Sequence, residues 1–288
     1  MTPFGTRIQE RHRTFWTEPH RGIHDAETCC NELLTRDDPF TTWHCCPLWQ
    51  RKLSNKWNAR EFAAKVGCQV PDLYWHGRGV ANLDFATLPS HYVVRPTLGH
   101  SSKGIFVMAD GTNLLDGNAY SENELKKQLA EIATQDPRVT ILLEEFVKSE
   151  DGEYRLPTDY KLLMFDGRVG AVGAIRRLSR KNVKKRYYTE SWGQFSEPII
   201  VPTADKVRDD IVAPPRCLPD ILVDAKRLSK AYGTFVRLDF YATDRGSVFG
   251  EFTPTPALGR NFTDFASRHF LELWEEAYPE PDGRKVSA

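Results

Sequence analysis

The sequence lacks any long apolar run, which argues against a helix that spans a membrane. Residues 140–143 are among its most apolar stretches, and they fall far short of the roughly 20 residues that a bilayer requires. The sequence also lacks an apolar signal region near its first residues, where Arg7, Glu10 and Arg11 stand instead. We therefore expect a cytoplasmic protein.

Net charge is missing as well. Lys and Arg together number 39, and Asp and Glu also number 39, so the formal charge is zero. No overall field then attracts nucleic acid or a membrane surface, and any anion must be bound by a local cluster. With 40% hydrophobic and 27% charged residues and no repeats, the composition is typical of a soluble globular enzyme. The 288 residues are enough for one large domain or two interlocked domains.

Six cysteines include two adjacent pairs, Cys29 with Cys30 and Cys45 with Cys46, and His44 precedes the second pair. Zinc sites usually separate paired cysteines by roughly two to four residues, so that both thiolates reach one tetrahedral ion. Adjacent cysteines do this poorly. The pattern therefore favours reduced, partly buried thiols, with zinc as the lesser alternative.

Hydrophobic spacing predicts four helices and seven strands. Apolar residues three and four apart indicate a helix over 58–66, which puts Lys56 at a helix start. Ser121 and Glu124 form a capping box for a helix over 121–134. Residues 1–55 have no clear periodicity and predict an irregular section with short helices. The other predicted helices are 218–232 and 262–278, and the strands are 91–95, 105–108, 140–147, 159–165, 169–175, 235–241 and 248–252, with a tight hairpin turn at Asp166 and Gly167.

Two of these strands carry the most informative polar residues. Alternate residues of a strand share a face, so Asp239 points away from the core that Leu238 and Phe240 enter. A hairpin would bring Asp239 close to Glu251 on the next strand. Two neighbouring carboxylates repel each other unless a divalent cation lies between them, and Mg²⁺ takes oxygen ligands from carboxylates and phosphates. The alternative is that each carboxylate is simply solvated or ion-paired.

This segment resembles the metal-binding end of the ATP-grasp fold. That family typically has Glu-x-Asn, whereas this chain has Glu251 followed by Thr253, which is similar to the TupA-like branch of teichuronopeptide and polysaccharide biosynthesis. The resemblance covers about residues 56–270 and implies Mg²⁺ ligands at Asp239, Glu251 and Thr253. It also implies an α+β fold in which two α/β lobes with antiparallel sheets clasp ATP. The implied divisions are residues 1–85 for an irregular N-terminal section, 86–147 for the small lobe, and 148–288 for the large lobe with the metal and acceptor site.

The same resemblance implies a nucleotide site. Arg95 stands where the family has a Lys that grips the α- and β-phosphates beneath a glycine-rich loop, here residues 99–104. Residues 144–147 are similar to the hinge that receives adenine. Asp159 would bind ribose, and Lys161 would face the phosphates. By themselves, the loop is equally a hairpin turn and the hinge equally an edge strand that ends in solvated acids. The implied nucleotide-binding residues are Lys56, Arg95, Ser101, Ser102, Gly104, Glu144, Glu145, Phe146, Val147, Asp159 and Lys161.

A basic run at residues 175–186 contains seven cationic side chains in twelve positions. Such a run is often only a solvated surface. In the family an Arg at this place stabilises the acyl phosphate, so the resemblance implies Arg176 or Arg177 as a catalytic residue, together with Lys161. The other cations could hold an acidic acceptor, such as a polyanionic polymer or an acidic peptide. Residues 257–262 should line the acceptor pocket.

The implied activity is an ATP-dependent carboxylate–amine ligase. It would use Mg²⁺ and ATP to form an acyl phosphate, join the acyl group to an amine as an amide, and release ADP and phosphate. Its partners would be a carboxylate substrate and an amine acceptor, either of which could be an amino acid, an acidic peptide or a cell-surface polymer precursor. Two alternatives remain open: a phosphotransferase of the same fold that acts on a hydroxyl, and a nucleotide-binding regulatory protein without catalysis. Nucleic acid is not expected as a partner, because the net charge is zero.

Overall fold

The computed structural model describes residues 1–16, 32–80, 83–99, 104–136, 138–177, 183–201, 206–208 and 211–279. Ser101 and Ser102, which we expect over the phosphates, lie outside these ranges, as do Cys29 and Cys30. Within the described ranges, the cysteines at positions 45, 46, 68 and 217 are free thiols.

Six α-helices are present in the described residues, and none of them is long and apolar enough to cross a membrane. The predicted capping box closes the first turn of one helix, because the Ser121 amide donates to Glu124 Oε2 at 2.8 Å and Ser121 Oγ accepts from the Glu124 amide. Another helix ends at Gly233, which has φ 76°. The helices are α1 (Pro3–Trp16), α2 (Phe40–Trp43), α3 (Lys56–Lys65), α4 (Glu122–Gln135), α5 (Leu218–Tyr232) and α6 (Asp264–Ala277), with 3₁₀ turns at Trp49–Ser54, Phe85–Thr87 and Pro256–Gly259.

The N-terminal section is more regular than its sequence suggests. Helix α1 runs for 14 residues, so the expectation of only short helices there is wrong. Phe4, Ile8 and Phe15 recur at four and seven residues and are all buried, which is the stripe that holds α1 against the rest of the chain. The polar and charged residues between them leave the stripe sparse, which obscured this period. Helix α3 begins at Lys56, as predicted, with the Asn55 side chain as its N-cap.

Eleven strands in the described residues form two sheets. The first sheet has five antiparallel strands, and the second has six strands that are antiparallel except for the last pair. The order in the first sheet is β1-β5-β2-β3-β4, and in the second it is β11-β10-β6-β7-β8-β9. The strands are β1 (Leu73–Gly77), β2 (His91–Pro96), β3 (Phe106–Ala109), β4 (Thr112–Asn113), β5 (Ile141–Glu145), β6 (Asp159–Phe165), β7 (Arg168–Arg177), β8 (Val183–Tyr188), β9 (Lys206–Arg208), β10 (Val236–Thr243) and β11 (Gly246–Thr253).

Each sheet buries most of one face and leaves part of the other open. Helix α4 covers one face of the first sheet, where Leu125 and Leu129 pack on the strands. Helices α3 and α5 cover one face of the second sheet, around Leu238 and Phe240. Helices α1 and α6 cover its other face only near the hairpin at Asp166. The tight turn is present as predicted, and both of its central residues, Asp166 and Gly167, have positive φ. The α+β class is therefore confirmed, and charged residues occupy the uncovered parts of the two sheets.

Candidate nucleotide and metal site

Asp239 and Glu251 are direct partners in the β10–β11 ladder, as the sequence predicted. Directly opposed residues of an antiparallel pair point to the same face, so the two carboxylates are neighbours. Arg237 and Thr253 form the next pair on that face, because Arg237 lies two residues before Asp239 and Thr253 lies two residues after Glu251. The four side chains therefore line one patch on the uncovered face of the second sheet.

Asp239 is bound by two cations. Arg237 donates in a fork, from Nε to Oδ1 at 2.7 Å and from Nη2 to Oδ2 at 2.8 Å. Lys161, which pairs with Asp239 across the β6–β10 ladder, donates to Oδ2 as well. Burial alone would raise the pKa of Asp239, but these two cations hold that pKa below its ordinary value. Lys161 also lies 3.3 Å from Asp159 Oδ2, so it joins two carboxylates of the same face.

Glu251 is different, because its carboxylate makes no hydrogen bond or ion pair with any residue that the structure describes. It is half-buried, and its charge acts on Lys56, Arg95 and Arg237. No described residue therefore occupies the oxygens of this carboxylate. It is the group on this face best suited to receive a divalent cation.

The donor set fits Mg²⁺. Glu251 is available, Asp239 keeps lone pairs on oxygens that already accept from cations, and the Thr253 hydroxyl stands on the same face. In the part of the chain that the structure describes, no cluster of three or more His, Cys, Asp or Glu side chains is placed to hold a metal ion. Mg²⁺ commonly binds through one or two carboxylates and takes its other ligands from water and substrate phosphates. Two carboxylates with an adjacent hydroxyl match that pattern.

Arg95 points from the first sheet toward this patch. Its Nη1 lies 3.5 Å from the carbonyl oxygen of Gly250. Gly250 is the extra residue of β11 at the irregularity where Asp239 pairs with Glu251 and Phe240 pairs with Phe249. Its Nε donates to Glu144 Oε2 at 2.5 Å, and Arg60 Nε lies 3.1 Å from the other carboxylate oxygen. The Glu144 side chain is only 2% exposed. Glu144 therefore holds Arg95 through its Nε, which leaves the other guanidinium nitrogens for a further ligand. A lysine amine has no such planar fork and could not serve both partners in fixed directions.

Lys56 completes the cationic side of the cleft. Its Nζ donates to the Gly99 carbonyl at 3.0 Å, and its backbone amide donates to the Thr97 carbonyl at 2.9 Å. Burial lowers the pKa of Lys56 to about 8; Glu251 opposes this shift and Arg95 adds to it. Lys56, Arg95 and Glu251 thus interact electrostatically, although they come from a helix and from both sheets.

The predicted adenine hinge has both of its carboxylates engaged by protein groups. Glu144 is bound by arginines as described, and Glu145 Oε2 accepts from Arg245 Nη2 at 2.5 Å and from the Asp72 amide at 3.0 Å. Strand β5 ends at Glu145, and the following two residues, Phe146 and Val147, are buried. Contacts to a purine edge at this hinge would consequently come from backbone groups. The adenine site itself stays a prediction.

Strand register separates the two candidate arginines of β7. Gly173 pairs directly with Lys161, so the two residues share a face. Arg177 lies four residues beyond Gly173 and belongs to that face, whereas Arg176 lies on the opposite face. The register favours Arg177 as the arginine that meets the reacting groups, and the catalytic role stays a prediction for both.

Two residues near the patch were missed by sequence reasoning. Arg60, on α3, gave no local signal, because its partner Glu144 is remote in the chain. Tyr187 lies across Gly173, where a Cβ would stand 2.8 Å from its ring, and its hydroxyl interacts electrostatically with Arg237 and Asp239. Burial raises the pKa of Tyr187 to about 12. A glycine inside a strand often marks such a close approach, so Gly173 was the available signal.

The fold and this patch together define an ATP-grasp protein. The family model described as TupA-like ATPgrasp matches residues 47–275, which is well over half of the chain, so the chain belongs to the TupA-like ATP-grasp family. No curated protein matches the sequence.

Solved structures of similar fold include several amino-acid ligases. D-alanine–D-alanine ligase from Bacillus anthracis, in complex with ATP, is 15% identical with a TM-score of 0.49, and the match covers 78% of this chain and 65% of that one. The corresponding ligase from Helicobacter pylori is 18% identical, with a TM-score of 0.47 and coverages of 79% and 61%. D-cycloserine synthetase DcsG is 17% identical, with a TM-score of 0.48 and coverages of 80% and 73%. The chain thus spans less than two thirds of the two D-alanine–D-alanine ligases.

Proposed function

We propose that this chain is an ATP-dependent carboxylate–amine ligase that forms an amide bond. One observation carries the proposal: Asp239 and Glu251 are paired on an uncovered sheet face, and Glu251 interacts electrostatically with Lys56 and Arg95 across the cleft. Carboxylates for a divalent cation therefore stand opposite cations for phosphates. An arrangement of this kind serves a metal-bound triphosphate better than it serves a neutral ligand.

In this proposal the cations of the cleft hold the triphosphate. Arg95 offers the guanidinium edge that Glu144 does not occupy, and Lys56 and Lys161 add two ammonium groups. Glu144 and Arg60 keep the Arg95 fork in one orientation, which reduces the entropy lost when a phosphate binds. The loop that contains Ser101, Ser102 and Gly104 would cover the phosphates, the hinge at residues 144–147 would receive adenine, and Asp159 would bind ribose.

Asp239, Glu251 and Thr253 would hold Mg²⁺. When bound, the ion supplies neutralisation of the charge that develops on the phosphates. Asp239 would keep Arg237 as its partner, and Lys161 would be released from Asp239 toward the phosphates. Arg237 therefore preserves the orientation of Asp239 in both arrangements.

The residues then act by position and charge. A carboxylate oxygen of the substrate attacks the γ-phosphorus, a new O–P bond forms, and the bond to the β-phosphate oxygen breaks as ADP leaves. The amine nitrogen next attacks the acyl carbon, the C–O bond to phosphate breaks, and the nitrogen loses a proton to solvent. Arg177 lies on the face of Lys161 and would stabilise the acyl phosphate. No side-chain nucleophile is required.

The substrate class follows from the same face. Ile175, two residues before Arg177, pairs with Lys185 of β8, so two cations stand beyond the reacting patch on one side. A substrate or acceptor with extra negative charge, such as an acidic peptide or a polyanionic polymer precursor, would be bound there. A neutral amino acid would gain less from these cations.

A regulatory role without catalysis is the second candidate. Both oxygens of Asp239 already accept from Arg237 and Lys161, an arrangement that could support nucleotide binding without chemistry. A phosphotransferase that acts on a hydroxyl would use the same residues, but nothing in the structure favours it.

Product analysis distinguishes these functions. The chain is incubated with Mg²⁺-ATP and with single amino acids or acidic peptides, and ADP release and product masses are measured. A ligase yields free phosphate and an amide, and a phosphotransferase yields a phosphorylated acceptor. ATP binding with no substrate-stimulated ADP release would support the regulatory role and would contradict ours. A Glu251→Gln variant serves as the matched inactive control.

A further inference from the structure

The segment that follows β11 has an unusual backbone. Ala257, Leu258 and Gly259 take positive φ in succession, at 49°, 52° and 72°, and Asn261 follows at 68°. Residues with a Cβ avoid this left-handed region because the side chain approaches the following carbonyl oxygen. Such conformations persist only where the surroundings enforce them, and they concentrate at functional sites. This segment begins directly after Glu251 and Thr253, at the edge of the reacting patch.

Helix α1 contacts this segment at Gly259, where the backbones of Gly5 and Gly259 cross. An added Cβ on Gly5 would overlap the carbonyl oxygen of Gly259, and one on Gly259 would lie 2.9 Å from the Gly5 Cα. The two backbones are thus in direct contact, and neither position has room for a side chain. Phe4 and Phe262 are both buried beside the crossing, with ring centroids 5.1 Å apart.

Helix α1 also contacts the start of the segment. His12 Nδ1 lies 3.4 Å from Thr255 Oγ1. On the opposite side, the Asn261 carbonyl accepts from the Val201 amide at 2.8 Å. The strained residues are therefore held at both ends, with α1 at one side. None of the hydrogen bonds of α1 within the described residues reaches Lys56, Arg95 or Asp239.

We infer that α1, which lies outside residues 47–275 of the family match, is the positioning element of the acceptor pocket. The inference rests on the proposed ligase function and on the expectation, drawn from the family resemblance, that residues 257–262 line its acceptor pocket. Because α1 contacts the segment directly and makes no described hydrogen bond to Lys56, Arg95 or Lys161, it sets where the acceptor lies relative to the activated carboxylate. Nucleotide binding is left unaffected. Residues 5 and 12 thereby determine acceptor binding without contact to the nucleotide.

The test compares Gly5→Ala with Thr6→Ala, an exposed neighbour on the same helix. Alanine favours a helix over glycine, so any loosening in Gly5→Ala comes from the blocked crossing and not from helix propensity. Hydrogen exchange reports the segment directly, because the Leu258 and Arg260 amides donate to the carbonyls of Thr255 and Ala257. We expect exchange there to accelerate about tenfold or more in Gly5→Ala and to stay unchanged in Thr6→Ala.

Two further measurements place the effect in the acceptor step. Mg²⁺-ADP affinity, measured by calorimetry, should stay within about twofold of the wild type, since Gly5 lies nine residues from Thr14, the residue of α1 whose carbonyl accepts from Arg51 in the turn before Lys56. Hydroxamate formation from Mg²⁺-ATP, a mixture of amino acids and acidic peptides, and hydroxylamine as acceptor should show a KM for hydroxylamine raised about tenfold. Unchanged exchange, or a matching loss of nucleotide affinity, overturns the inference.

A second variant covers the case in which Gly5→Ala does not fold. His12→Ala leaves the glycine crossing intact and removes only the contact to Thr255, so we expect a smaller acceleration at Leu258 and the same selectivity for the acceptor step. Wild-type exchange rates at Leu258 in this variant would overturn the inference. Failure of the wild type to form any hydroxamate would contradict the ligase proposal instead, because the exchange measurement uses no substrate.

Discussion

Two buried carboxylates, one on each sheet, are held in the same manner. Glu144 of β5 lies between Arg95 and Arg60, and Asp239 of β10 lies between Arg237 and Lys161. Each carboxylate keeps two cations in fixed orientations. The difference lies across the ladder, where Asp239 has a second carboxylate, Glu251, as its direct partner.

That difference sets the charge of the two sides. Beside the first sheet, Arg95 of β2 and Arg60 of α3 against Glu144 leave one positive charge, to which Lys56 of α3 adds another. In the patch on the second sheet, Arg237 and Lys161 are balanced by Asp239 and Glu251, and Asp159 makes the total negative; Arg177 and Lys185 lie beyond this patch. One wall therefore suits phosphates and the other suits a divalent cation. Similar local pairing thus gives opposite binding properties.

The strongest test of this comparison is Glu251→Gln. Removing the available carboxylate should lower turnover about a thousandfold or more, because the cation that neutralises the phosphates loses a ligand. Turnover and Mg²⁺-dependent ADP binding are measured beside Glu275→Gln, an exposed carboxylate on α6. Full activity of the Glu251 variant would remove this residue from the metal site.

Glu144→Gln should lower the free energy of unfolding. It removes the carboxylate that pairs with both Arg95 and Arg60, although Arg60 keeps Glu61 as a partner, and breaking a buried ion pair typically costs about 3 to 5 kcal/mol. Urea unfolding compares it with Glu145→Gln, whose pair with Arg245 is partly exposed and contributes less than about 1 kcal/mol. An equal decrease in the free energy of unfolding for the two variants would show that the buried pairs of Glu144 with Arg95 and Arg60 stabilise the fold no more than the partly exposed pair does.

Arg177→Ala and Arg176→Ala test which arginine of β7 lies on the same sheet face as Lys161. We expect kcat to fall about a hundredfold for Arg177→Ala, because a cation at the developing charge is lost. Arg176 lies on the other face, so its variant should retain kcat within a few fold, by the strand alternation. The reverse ranking in steady-state kinetics would contradict the register argument.

Lys56 gives the smallest effect, a dependence on pH. Burial lowers the pKa of Lys56 to about 8 in the nucleotide-free protein, so its amine loses its proton above that pH. The phosphates bind the charged ammonium, and binding above pH 8 therefore requires Lys56 to take up a proton. Mg²⁺-ADP affinity should therefore fall by up to about tenfold per pH unit above pH 8. Because the unfolded chain keeps this proton up to about pH 10.5, the same group makes the nucleotide-free fold more stable as pH rises from 8 to 10.5.

Calorimetry between pH 7 and 9.5 checks the first part, with Lys56→Met as the control that should lose this slope. A wild-type slope that persists in the methionine variant would assign the titration to another group.

Local rules accounted for most of the elements. Strand β6 and helix α5 have the bounds that alternation and the Gly233 stop indicate, and the Asp166–Gly167 turn has its positive φ values. The pairing of Asp239 with Glu251 could also be predicted locally, because a tight hairpin leaves little freedom in the register of its two strands. Helix α1 was missed because its stripe of three apolar residues is sparse.

What the sequence by itself determined is the alternation that puts Asp239, Glu251 and Lys161 on one face, since neighbours along a strand or across a hairpin obey local geometry. Only the tertiary structure decided that Glu144 binds Arg60 and Arg95, and that α1 crosses the segment after β11 at Gly5. These contacts join residues far apart in the chain. Their formation depends on how whole helices and sheets pack, which no local pattern encodes.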